Sequence, residues 1–336
     1  STMDANQLHE SAIVIDATCP LAKDPRYVEW WREGGATAFA PTISGMAGNA
    51  RSGFALIGGW RRYVRERDDT IIVLSATDIE RAKAEKKIGL ILHCQGTAII
   101  EDELDLLDAY QAAGLRVVQL CYNRKNRIGD GSGERTDAGL SHFGVKVIER
   151  LNALNMLVDC AHTGHRTSMD AIEMSSAPVV ISHANAYAIQ DNARNVADDL
   201  IKAIAATGGI VGTVGFPAFL TWDGQPSLDQ FIDDIAYKAD LVGIDHVGLG
   251  IDYYLGQHPV EDDSTAMARY RQLVDAGLWR PSEYPPPPYK FPTGIETPRT
   301  LPRLTERLVS RGFSEQEIRK ILGLNWMRVY REVWGG

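Results

Sequence analysis

Met156-Leu157-Val158-Asp159-Cys160-Ala161-His162 is followed, after a helix-length stretch, by Pro178-Val179-Val180-Ile181-Ser182-His183. Each is a short, β-branched apolar run that closes on a histidine. The spacing predicts two consecutive parallel strands with a helix between them. In such folds ligands bind at the carboxyl ends of the strands, so both imidazoles stand where a metal or a substrate would sit. A third run, Asp245-His246-Val247-Gly248-Leu249-Gly250-Ile251-Asp252, ends on a carboxylate. Two histidines and an acid at three strand ends are the ingredients of a hydrolytic metal site.

Outward from these segments the same rhythm continues. Apolar runs fall at Ala12–Ile15, Ala36–Ala40, Gly89–His93, Arg116–Leu120, Met156–Cys160, Pro178–Ser182, Gly209–Val214 and His246–Ile251. Helical patterns lie between most of them: Glu101–Ala113, Leu140–Leu154, Ser168–Ser175, Val196–Thr207 and Leu228–Val242. Gly114 and Gly208-Gly209 supply helix stops. Eight strands alternating with helices predict a (β/α)8 TIM-like barrel, with a doubly wound open sheet as the alternative. No Gly-x-Gly-x-x-Gly follows an early strand, which argues against a dinucleotide site.

Residues 3–336 read as one barrel domain. Arg124–Asp137 reads as a loop after the fourth strand. The Pro-rich insertion at 256–300, with four prolines at Pro285–Pro288, is expected to cover the barrel mouth or meet a second subunit. From Pro302 a helical tail begins. Ser314-Glu315-Gln316-Glu317 is a capping box, and Gly323-Leu324-Asn325-Trp326 reads as a break before the last helix.

The composition, 44% hydrophobic and 24% charged over 336 residues, suits a soluble globular chain. The net charge of −9 and the lack of a basic block argue against nucleic acid or an anionic membrane as partners. No stretch is long and apolar enough to span a bilayer. Cys19, Cys94, Cys121 and Cys160 lack metal or redox spacing and read as reduced, buried thiols of a cytoplasmic protein.

Several segments, taken together, resemble the membrane (renal-type) dipeptidases, peptidase family M19 of the amidohydrolase superfamily. They are Gly139–Gly144, Val158–His162, Val180–Ala186, Ala193-Arg194-Asn195-Val196, Gly248–Asp252 and Ile321–Trp326, in family order across nearly the whole chain. The resemblance implies a (β/α)8 barrel with a two-zinc site and a homodimeric assembly. By motif, His162 and His183 would bind the second metal. Asp252 would be metal ligand and proton shuttle, and Arg194 would pair with the substrate carboxylate, for which a guanidinium fork is well shaped.

The sequence departs from that pattern in three places. The first strand of the family ends Asp-Gly-His-Asn-Asp; here it reads Asp16-Ala17-Thr18-Cys19-Pro20, with Thr18 and Pro20 in place of both ligands. The bridging glutamate is replaced by Gln95, and a substrate-contacting histidine by Tyr122. Proline has no side-chain donor, and a neutral amide cannot offset two divalent cations. The expected outcome is an empty first position and one divalent metal, zinc in the first place although the donors also suit Fe, Ni or Mn, held by His162, His183 and either the Gln95 amide oxygen or His93, with Asp252 alongside.

These residues predict a hydrolase that opens an amide or other C–N bond of a small amino-acid-like substrate through a single metal-held water. Asp252 handles the proton, Tyr122 donates to a substrate oxygen, and Arg194 and Tyr122 bind substrate. Dipeptidase activity of the usual kind is expected to be weak. Two alternatives stay open: a lyase, isomerase or deaminase acting on an amino-acid derivative, and a non-catalytic ligand-binding relative. His165 is expected to be solvated and His142 to pack or cap a helix start.

Overall fold

The computed structural model describes residues 4–336, so Ser1, Thr2 and Met3 lie outside the described residues. Ten strands run in parallel: β1 Ile15–Cys19, β2 Ala38–Ser44, β3 Thr70–Ile72, β4 Ile88–Leu90, β5 His93–Cys94, β6 Val117–Gln119, β7 Leu157–Asp159, β8 Val179–Val180, β9 Val211–Thr213 and β10 Val247–Leu249. β4 and β5 are two halves of one barrel strand, both pairing with β2. The pairing then runs β5–β6–β7–β8, and β9 pairs β10. Two seams complete the ring. Ile181 bridges Val211, and the Asp252 amide donates to the Thr18 carbonyl at 3.1 Å. The result is the (β/α)8 barrel, closed so that its eight strand ends ring one mouth.

All eight expected strands are present. β3 was not expected: it stands outside the ring of eight and pairs only with β4. β1 lies later than expected, at Ile15–Cys19, because Ala12 ends the helix Ala5–Ser11 as its C-cap. Helix Leu228–Val242 has the expected bounds. Ser227 caps it with Gln230, and its inner face buries Phe231, Ile232 and Ile235. Glu315–Glu317 opens a helix under the Ser314 box, but no break follows. Lys320–Leu324 forms a widened π turn leading straight into the helix Asn325–Trp334. Gly323 sits there because a Cβ would meet the Ile13 carbonyl oxygen at 2.2 Å.

That last helix fills the amino-terminal end of the barrel. Ile15, Ala17, Ala38, Ala40, Val117, Leu157, Val180 and Ile210 point inward and pack against Trp326, Met327 and Tyr330. The small alanines make room for the two large rings. Trp326 donates Nε1–H to the Leu249 carbonyl at 3.1 Å. The opposite end is left for chemistry. Gly212 and Gly250 both press on the Ser182 carbonyl there. A Cβ on Gly250 would stand 1.8 Å from that oxygen, so β8 and β10 approach only because this side chain is missing.

The 256–300 segment folds back over the mouth. It carries a helix at Asp263–Asp275, and its Trp279, Tyr284, Tyr289 and Phe291 are buried in an aromatic cluster with Phe216. Its Trp279 and Tyr284 line the cavity at the barrel mouth.

Candidate active site at the barrel mouth

His162 follows β7 in a left-handed backbone conformation (φ 60°), which turns its ring across the mouth. Its Nδ1 lies 2.8 Å from Asn123 Oδ1. The Asn123 amide is oriented independently, because its Nδ2 donates to the Leu278 carbonyl at 3.2 Å and to Tyr284 Oη at 3.1 Å. Carbonyl oxygens only accept, so Oδ1 must face His162. The histidine therefore carries its proton on Nδ1 and keeps an open lone pair on Nε2.

His183 follows β8 and is fully buried. Its Nδ1 is 2.7 Å from Ser182 Oγ and 3.1 Å from Thr18 Oγ1. Its Nε2 is buried with no partner at all. The two imidazoles meet edge to face with centroids 4.9 Å apart. Burial, followed by the charge of Arg194, holds both rings well below the ordinary histidine range, so both are neutral. Neutral rings with open Nε2 atoms are what a metal ligand requires.

Asp252 follows β10, also in a left-handed conformation (φ 67°). Burial pushes its carboxyl up to about 8, against the opposing pull of Arg194. A cavity of about 500 Å³ brings together Asp252, His162, Gln95 and Tyr122. Tyr122 stacks on His162 at 4.0 Å and accepts a hydrogen bond from Trp279 Nε1 at 3.0 Å. Gln95 is turned so that its Nε2 donates to Thr42 Oγ1 at 2.9 Å.

Arg194 is buried but lines a second cavity of about 360 Å³, which shares His162 with the first as a wall residue. Its Nε donates to Tyr284 Oη at 3.1 Å and its Nη2 to the His183 carbonyl at 3.4 Å, with the guanidinium 5.0 Å over the Phe219 ring. Much of the fork is thus already engaged with the walls of the site.

His93 lies deeper. Its Nε2 is 2.9 Å from Asp159 Oδ2, while Asp159 Oδ1 accepts from the Ala161 and Ser182 amides. Asp159 thereby ties together the ends that carry both site histidines. His165 is exposed, as expected, and faces Asp199 at 3.2 Å. His142 neither packs nor caps: it is an exposed first residue, and Ser141 is the cap. All four cysteines are free and buried, and burial raises each thiol, so none is a ready nucleophile.

Sequence reasoning missed Asn123, Trp279 and Tyr284. Asn123 directly follows the singled-out Tyr122, and a polar residue at a strand end was the available signal. It also missed Asp234 and Lys238, an ion pair at 2.7 Å with both side chains fully buried. Asp234 accepts from the Ala186 amide, and Lys238 donates to the Ala184 carbonyl, fixing the turn after His183. Two charges four apart on an otherwise apolar helix face were the clue.

The barrel and its strand-end imidazoles define a hydrolase-type (β/α)8 protein. The sequence profile of the membrane dipeptidases, peptidase family M19, matches residues 36–281 and 288–334. The chain belongs to that family of metallo-hydrolases, whose cofactor is a divalent metal. An uncharacterised protein from the pqqA 5′ region of Klebsiella pneumoniae is 30% identical over 273 residues, 78% of this chain and 89% of that protein. An uncharacterised dipeptidase of Schizosaccharomyces pombe is 28% identical over 81% of this chain, which spans 60% of that protein. An amidohydrolase from Pseudomonas aeruginosa superposes with a TM-score of 0.87 at 31% identity, covering 99% of this chain and 100% of that one. A metallo peptidase from Rhodobacter sphaeroides, solved with a phosphinate mimic of L-Ala-D-Ala, shares the fold at a TM-score of 0.79 and 20% identity, covering 96% and 100% of the two chains. No helix among the described residues is long and apolar enough to cross a membrane.

Proposed function

We propose that the protein hydrolyses an amide or related C–N bond of a small amino-acid derivative bearing a carboxylate, using one divalent ion, zinc, between His162 and His183. The observation that carries this reading is the pair of open Nε2 atoms, one of them buried without any partner. The donor set suits one ion and not two. Thr18 Oγ1 is engaged with His183 Nδ1, Pro20 offers no donor atom, and Gln95 is neutral. Among the described residues no group of three or more His, Cys, Asp or Glu forms a ready ligand set; the Gln95 amide oxygen and water would supply the remaining donors. When bound, the ion acts as a Lewis acid and lowers the pKa of water.

The remaining roles belong to the chain. A cation held beside it would favour the ionised form of Asp252, which would then take the proton from the attacking water and return it to the leaving amine. Tyr122 donates its phenolic proton to the substrate oxygen. Arg194 attracts the carboxylate, and the roof of Trp279 and Tyr284 excludes bulk water. A homodimer in the cytoplasm completes the proposal; size-exclusion chromatography with light scattering checks the assembly.

Elemental analysis of protein purified without added metal tests the reading. One equivalent per chain is expected, with hydrolysis of N-acyl amino acids lost on chelation. Zero or two equivalents would overturn it. Turnover that survives exhaustive chelation would favour the lyase or isomerase alternative.

A further inference from the structure

Apart from Asp252 and His162, much of the lining of the cavity they share is apolar and makes up a lobe suited to an uncharged group. Met46 follows β2, Leu56 comes from the helix Ala50–Arg65, Leu273 from the helix Asp263–Asp275, and Leu278 and Trp279 from the roof. Pro20 also lines the cavity. The charged residues lining the whole cavity are Lys23 and Asp252, together with the neutral His162. A substrate with a free amino terminus carries an ammonium group into this space. It would find a single acidic side chain, Asp252, which the hydrolytic reading already occupies with proton transfer. Pro20 and Gln95 contribute no charge beside it. Burying an unpaired ammonium against Met46, Leu273 and Trp279 is strongly unfavourable, whereas burying an uncharged aryl or branched group there is favourable.

From this lobe we infer the substrate class: an N-acyl amino acid with a bulky apolar acyl group, its acyl end in the lobe and its carboxylate end toward Arg194. The inference rests on the hydrolytic reading for the reaction and adds the identity of the acyl half. In the step, water adds to the acyl carbon and the C–N bond breaks. The products are a carboxylate and the free amino acid, the leaving nitrogen having taken up the proton. No oxidant or further reactant is needed.

Three ligands isolate the claim: 3-phenylpropionyl-alanine; phenylalanyl-alanine, which differs from it by the α-ammonium alone; and propionyl-alanine, which lacks the phenyl ring. Calorimetry on the intact protein as purified should show the first binding at least about tenfold tighter than either of the others. Leu56 is 43% exposed and outside the catalytic group, so Leu56→Glu should leave the fold intact. That variant should weaken phenylpropionyl-alanine about tenfold while leaving propionyl-alanine unchanged. Equal or tighter binding of phenylalanyl-alanine, no gain from the ring, or no binding by any of the three overturns the inference. Tight binding of phenylpropionyl-alanine without hydrolysis upholds the lobe and sinks the hydrolytic reading. Faster hydrolysis of phenylalanyl-alanine and propionyl-alanine upholds hydrolysis and sinks the lobe.

Discussion

At the ends of β7, β8 and β10 the side chains are arranged to leave atoms open. Asn123 occupies His162 Nδ1 so that Nε2 stays free, and Ser182 and Thr18 do the same for His183. At the ends of β1 and β5 the side chains instead satisfy one another. Asp16 accepts from the Ile251 amide and Trp31 Nε1, and Gln95 donates to Thr42. One half of the mouth is built for a ligand and the other for barrel closure. Reactivity here depends less on which polar residues are present than on which of their atoms the neighbours leave unclaimed.

Removing an open nitrogen should break the contrast most severely. His183→Ala is expected to lower turnover by about 1000-fold or more, with metal content falling in parallel. Steady-state kinetics and elemental analysis check both. An active, fully metallated variant would show that the histidine side is not the working one.

The closing half makes the opposite prediction, about stability. Burial pushes the Asp16 carboxyl up to about 6, above its unfolded value, so the fold favours its protonated form. Its contribution is greatest below about pH 4 and is lost as pH rises through 6, amounting to about 3 kcal/mol. Melting curves across this range should slope downward for the native chain. In Asp16→Asn that component of the slope should vanish, although the variant melts lower throughout because the Trp31 indole loses its acceptor.

Smaller changes sharpen the comparison. Asn123→Ala leaves the His162 ring without its orienting acceptor and should weaken metal affinity about 10- to 100-fold, measured by competition with a chelating dye. Gln95→Glu restores a charged donor to the closing half and should tighten metal binding about tenfold, as read in the same titration. If it leaves the affinity unchanged, Gln95 does not reach the ion.

The strand ends were legible because apolar runs closing on His162, His183 and Asp252 carry their own periodicity. The barrel count followed from the same signal repeated. The atoms that tune those residues were harder to read, since Asn123 and Tyr284 act across a sequence distance that no local pattern spans. Arg194 could be singled out from the sequence, but its engagement by Tyr284 and the His183 carbonyl depends on how the roof folds back. β3 was not read because it stands outside the eight-strand rhythm, at the edge of the sheet beyond β4.

Asn123, His162 and Asp252 share backbone angles near φ +60°, a region that costs side-chain-bearing residues about 1 kcal/mol or more. A library of variants ranked purely by heat resistance, with no substrate in the assay, should therefore enrich glycine at these three positions. The most thermally robust survivors would trace the outline of the working centre by having lost it.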